Sequence, residues 1–411
     1  MLVPLIGPLF GTLLVSSVQA QTFPPPALPG TTSWDLKNFK TLVSFGNSYT
    51  DEGRLRYLEE HDGQVPPVGW IGPVRSDTYS GGQTWPRYVN YYTGAKSYNY
   101  AVGGAVCSNK QVTRFYDKIN GSYPDVEGYE IPAFIADKNF KDPANGAPVL
   151  DIPAEETVYS MWVGTNDVGA NAFLTDSQAP DLTLVDYLQC VYNQFDRLYA
   201  EGGRYFVLMN LIPLQLAPIY ALPNKGGIGK SQNMTETSYR MKEQVNLLNN
   251  NAKFQTPYES LLARRYPGAR WALFDMYSLV RHVLLNVASF SRVFLTLLQF
   301  CFKTNSSHST KLFVIPDSCQ ETSPSPVPTF PDSNGILSCI TDIYVNPASY
   351  LNGTAPLNVE GYITANVSMS PSDKDSYLWY DSLHPSEQTA RIIAREFVGV
   401  VRGGSRWATY W

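Results

Sequence analysis

Thr41-Leu42-Val43-Ser44-Phe45-Gly46-Asn47-Ser48-Tyr49-Thr50-Asp51-Glu52-Gly53 is the stretch on which the fold turns. Thr41 to Phe45 is a short, mostly apolar run of the kind a strand buried on both faces requires, and it leads straight into small and polar residues. Four further runs have the same character: Tyr98 to Val102, Thr157 to Val163, Arg204 to Leu211 and Arg270 to Phe274. Helical patterns lie between or after the later runs, over Leu182–Glu201, Glu236–Tyr266 and Ser386–Val401. Short apolar strands alternating with helices predict a parallel sheet covered on both faces. In such sheets functional groups gather at the C-terminal strand ends.

Composition agrees with a large core. The 411 residues are 44% hydrophobic and only 16% charged, with 27 tyrosines. The net charge of −5 and the lack of a basic block argue against nucleic acid as a partner. Leu2 to Val15 is apolar but short and broken by Pro4 and Pro8, so no stable membrane insertion is expected from it. It ends in Val18-Gln19-Ala20, a small-x-small cleavage pattern, and residues 1–20 read as a secretory signal. The acceptor triplets starting at Asn120, Asn233, Asn305, Asn352 and Asn366 fit a secreted glycoprotein. Five cysteines (Cys107, Cys190, Cys301, Cys319, Cys339) suit an oxidising compartment and leave one odd thiol; without a C-x-x-C pair no structural zinc is expected. The rest, residues 21–411, reads as one domain and a monomer.

Four blocks can carry chemistry. Ser48 follows the first strand, where a hydroxyl and its own N–H can both be exposed, although a serine there also suits a helix N-cap. Position 50 is Thr, so this is no G-x-S-x-G elbow. The second strand ends in Gly103-Gly104, which permits a tight turn and close approach to a ligand. The third ends in Gly164-Thr165-Asn166-Asp167, where the Asn166 amide can donate a hydrogen bond. Of only four histidines, His384 alone has an aspartate three residues upstream, Asp381, in a turn closed by Pro385. That pairing suits a general base with a fixed tautomer.

In this order the blocks resemble those of the SGNH or GDSL hydrolases. The phrases Tyr100-Ala-Val-Gly-Gly-Ala-Val-Cys-Ser-Asn109 and Tyr377-Leu-Trp-Tyr-Asp-Ser-Leu-His-Pro385 are most similar to fungal carbohydrate esterases of family 16, which deacetylate sugars. The resemblance implies a flavodoxin-like three-layer α/β/α sandwich on a mainly parallel five-stranded sheet. It implies Ser48 as nucleophile, His384 as base and Asp381 as its orienting acid. It implies an oxyanion hole of the Ser48 and Gly104 N–H groups and the Asn166 amide, with Asp51 and Asp167 bracing the turns. No cofactor and no metal are implied, and the substrate expected is an acetylated hemicellulose oligosaccharide or another small ester. Asn47 departs from the Asp common in this family, beside the nucleophile but outside the triad. A short acyl pocket lined by Trp70, Trp85 and Trp379 would favour acetate; a lipase or phospholipase for longer acyl esters, or an inactive sugar-binding protein, are the alternatives.

One stretch fits none of this. Val280–Cys339, about 60 residues, joins an apolar half to a Ser/Pro-rich half where the family resemblance expects direct continuation. It reads as translated intron or an insertion without catalytic role, with an active-site lid as the functional rival.

Overall fold

The computed structural model describes residues 34–284 and 378–411. Residues 1–33, with the expected signal, and nearly all of the 280–339 stretch lie outside them; Val280 to Leu284 are part of a helical stretch, 276–284.

Strand β1 (Thr41–Gly46) is buried along its whole length, as its apolar run demands. It pairs in parallel with β2 (Lys96–Asn99) on one side and with β5 (Thr157–Trp162) on the other. Parallel pairing continues to β6 (Tyr205–Met209) and β7 (Arg270–Phe274). The expected five parallel strands are thus present, and a sixth, β8 (Ala408–Tyr410), joins β7 antiparallel, giving the order β2-β1-β5-β6-β7-β8. A separate two-stranded hairpin pairs β3 (Phe115–Tyr116) with β4 (Gly121–Ser122).

Strand register sorts side chains onto two faces. On one, Phe45, Tyr159, Phe206 and Trp271 meet Phe134 of α3 (Ile131–Asn139) and Phe195 of α4 (Leu184–Ala200). α5 (Met234–Pro257) packs against α4 on that side. On the other, Phe274 meets Phe397 of α6 (Glu387–Val401), whose ring lies 4.7 Å from Trp85 of α2 (Trp85–Thr93). This is the three-layer α/β/α arrangement expected.

Boundaries moved where side chains compete for the backbone. The second strand was expected over Tyr98–Val102 but ends at Asn99, whose side-chain oxygen takes the Ala101 N–H at 3.1 Å and bends the chain into a turn. α4 starts at Leu184 because Thr183 and Asp186 form a capping box. α5 stops at Pro257, passes through one wider turn, Tyr258–Leu262, and does not reach Tyr266. Ser386 caps α6 by accepting the Thr389 N–H at 3.2 Å.

Cys107 and Cys190 form a disulfide that ties the loop after β2 to α4 across 83 residues. Both sulfurs belong to buried residues. Closing a loop of this length restricts the unfolded chain, so reduction, or Cys190→Ser, is expected to lower stability by about 2–4 kcal/mol. Urea unfolding with and without reductant checks this, and an unchanged midpoint would refute it.

Candidate active site

The site begins where β1 ends. Gly46 has φ +147, and a Cβ there would lie 2.3 Å from the Trp162 carbonyl oxygen of the neighbouring strand, so only glycine lets β1 and β5 end this close together. Ser48 follows in a turn and is not a helix N-cap, because α1 (Arg54–Glu60) starts six residues later. The start of α1 is held instead by Asp51. Its Oδ1 accepts the Gly53 and Arg54 N–H groups at 2.6 and 2.7 Å, and its Oδ2 accepts those of Leu55 and Gly103 at 3.2 and 2.7 Å. One carboxylate therefore joins the serine turn to the glycine turn.

That bond also separates the two glycines. The Gly103 N–H is taken by Asp51, whereas among the described residues no protein atom accepts from the Gly104 or Ser48 N–H. Gly104 has φ +81 and lies so close to the Tyr123 ring that a Cβ would be 2.3 Å from it. Asn166 sits in the turn beyond β5, and its Nδ2 donates to the Ala105 carbonyl at 2.8 Å, which leaves the second amide hydrogen for a ligand. Asp167 Oδ1 accepts the Cys107 N–H at 2.8 Å, so it braces the same loop from the Asn166 side.

His384 and Asp381 come from a loop closed on itself. The Tyr380 N–H donates to the His384 carbonyl, and the Ser386 N–H donates to Leu378. Asp381 Oδ1 accepts the N–H groups of Leu383 and His384, both at 2.7 Å, and Oδ2 lies 2.6 Å from His384 Nδ1. His384 Nε2 lies 2.8 Å from Ser48 Oγ. A carboxylate only accepts, so the ring proton sits on Nδ1 and Nε2 is left to accept from the serine hydroxyl. Burial pushes Asp381 upward, but the His384 ring and the two N–H groups outweigh it and hold the carboxyl below its ordinary value. The imidazole packs edge-on to Tyr49 and stacks on Tyr79 at 5.4 Å.

Beside Ser48 and His384 lies a narrow crevice, with room for little more than one water, walled by Trp85, Trp162, Ala390 and Ile393. Of the three tryptophans expected around an acyl group only Trp85 is there. Trp379 is buried and absent from the lining, and Trp70 borders a separate groove with Arg54 and Arg87. Trp162 was missed because it falls inside the expected strand Thr157–Val163. Among the described residues no group of three or more His, Cys, Asp and Glu side chains is placed to hold a metal ion. Among them also, no helix is long and apolar enough to cross a membrane.

Behind the site three carboxylates are buried without a direct cationic partner among the described residues. Glu130 accepts the Gly46 and Val102 N–H groups at 2.9 and 3.1 Å, and burial pushes it well above the ordinary value. Burial likewise raises Asp51 despite its four N–H bonds, and raises Asp167 to about 7. A carboxyl raised in this way stabilises the fold while protonated and loses that contribution as pH climbs through its folded value. Asp167→Asn keeps the acceptor for Cys107 and removes the ionisation. Its stability relative to wild type is expected to rise between pH 5 and 8 by on the order of 1 kcal/mol or more. Urea midpoints across that range measure it, and a pH-independent difference would refute it.

Residues 42–397 match the family of GDSL-like lipases and acylhydrolases. An acetylesterase from Hypocrea jecorina is 34% identical over 388 residues, covering 91% of this chain and 92% of that protein. An acetylesterase from Thermothelomyces thermophilus is 28% identical over 51% of this chain and 65% of its own. A solved acetylxylan esterase from Geobacillus stearothermophilus aligns with 56% of this chain and 84% of that chain, at 15% identity and a TM-score of 0.27. The chain belongs to the GDSL-like lipase/acylhydrolase family and is a carboxylic ester hydrolase.

Proposed function

We propose that this protein is a secreted serine esterase that removes acetyl groups from acetylated hemicellulose oligosaccharides. The observation that carries the reading is the unbroken line from Ser48 Oγ through His384 to Asp381, with bonds of 2.8 and 2.6 Å. The acetylesterases among its relatives support acetate as the acyl group.

Ser48 Oγ attacks the ester carbonyl as His384 Nε2 takes its proton. Asp381 holds the ring and stabilises its charged form. The carbonyl oxygen, now negative, receives hydrogen bonds from the Ser48 and Gly104 N–H groups and the Asn166 amide. Collapse breaks the C–O bond to the sugar, and His384 returns the proton to the departing hydroxyl. Water then repeats the sequence on the acetyl-enzyme and releases acetate and free Ser48.

Ser48→Ala and His384→Ala are expected to lower kcat by several orders of magnitude, since the triad acts as a unit. Asn166→Ala is expected to cost about 10²–10³ in kcat with little change in KM. Acetate release from acetylated xylo-oligosaccharides, and nitrophenyl acetate against its C8 ester, test the substrate. Preference for the C8 ester would favour the lipase reading, and turnover retained without Ser48 would remove the mechanism.

Export is tested on protein recovered from the medium. The mature chain is expected to begin at Gln21, and peptides between Val293 and Lys311 are expected to be missing from its mass map. An intact Met1 would refute the signal. Recovery of those peptides would make the stretch a true insertion, whose deletion should then leave acetyl-ester turnover intact.

A further inference from the structure

The hairpin β3–β4 grips the glycine turn from two sides. Arg114, just before β3, donates from Nη1 to the Gly104 carbonyl at 2.8 Å. Tyr123, just after β4, lays its ring against the Gly104 Cα. The two residues also hold each other: the Tyr123 N–H donates to the Arg114 carbonyl at 2.9 Å, and the guanidinium lies 5.2 Å from the ring centroid. The hairpin is anchored in turn, because Tyr123 stacks on Tyr116 at 4.6 Å and the Tyr116 hydroxyl donates to Glu59 of α1. Gly104, with φ +81 and no side chain, joins two peptide planes: its N–H lies in the plane of the Gly103 carbonyl, and its carbonyl lies in the plane of the Ala105 N–H, which donates to the Val102 carbonyl at 3.0 Å.

Charge adds to position. Among the described residues no carboxylate lies within ion-pair distance of Arg114. Its field nevertheless reaches Asp167, next to Asn166, and Tyr220. A fixed cation behind an oxyanion hole favours the tetrahedral state over the neutral ester, because only the former carries the negative charge.

We infer that Arg114 is a positioning residue for ester hydrolysis: it fixes the carbonyl that follows Gly104, and with it the rotation about Gly104 that aims the N–H of the preceding peptide at the oxyanion, and it lends that oxyanion a positive field. This rests on the reading of Gly104 as an oxyanion donor.

The test compares Arg114→Gln and Arg114→Lys with wild type on nitrophenyl acetate, with melting temperature recorded for each. Methylboronic acid, which adds to a serine hydroxyl as a tetrahedral anion, serves as probe of the transition state. Arg114→Gln is expected to lower kcat by about 10–100-fold and weaken the boronate by a similar factor, with KM within about twofold. Arg114→Lys keeps the charge and is expected to recover most of both; if the glutamine variant does not fold, Arg114→Met serves as the neutral variant in its place. A rise in KM alone, or wild-type kcat and boronate affinity in the folded variant, overturns the inference. If Ser48→Ala abolishes turnover while Arg114→Gln keeps it, only this inference fails; if Ser48→Ala keeps turnover, the catalytic reading fails with it.

Discussion

Four backbone N–H groups on one carboxylate, Asp51, are the interaction on which the rest of this site depends. Parallel strands that stop at the same level leave turns whose N–H groups have no partner in the sheet, and burying them unpaired costs about 1–3 kcal/mol each. Asp51 satisfies the start of α1 and the Gly103 turn together. By occupying Gly103 it also decides which glycine keeps a free donor. Glu130 does the same for Gly46 and Val102, and Asp167 for Cys107. The three turns that carry Ser48, Gly104 and Asn166 are thus cross-braced by acceptors from outside the sheet ladder.

Acids are a demanding choice for this task. A carboxylate accepts several N–H groups at once and so replaces several separate side chains, yet its charge is unfavourable in a dry interior. The shifts follow that conflict: Asp51, Glu130 and Asp167 are raised by burial, while Asp381, which has the His384 ring as well as two N–H groups, is lowered. Asp381, beside the imidazole, is the one supplied with a partner able to carry positive charge.

What could be read in the sequence was local. The buried run Thr41 to Phe45, the glycine pair and the Asp-x-x-His spacing each act within a few residues, and the structure brings Ser48, His384 and Asp381 into one hydrogen-bonded line. Braces acting over long separations gave no such sign. Glu130 reaches Gly46 across 84 residues and resembles any acid before a helix. Arg114, ten residues from the carbonyl it holds, looks like an ordinary loop cation. Strand β8 has three residues and is defined only by its register on β7. Trp162 was legible as sheet and illegible as pocket wall, because a strand's final side chain faces either way until its neighbours are known.

The self-closed loop that carries Asp381 and His384 has a consequence for how this enzyme tolerates change. Its two ends lie against each other, through the Ser386–Leu378 hydrogen bond and the bridge between Trp379 and Pro385, and Ile219 donates to the Ser382 carbonyl from a distant part of the chain. The spacing of Asp381 and His384 is therefore held by bonds within residues 378–386, and the loop as a whole is tied to Ile219. Movement of the backbone at Ile219, remote in sequence, would therefore carry Asp381 and His384 together and leave their mutual spacing intact.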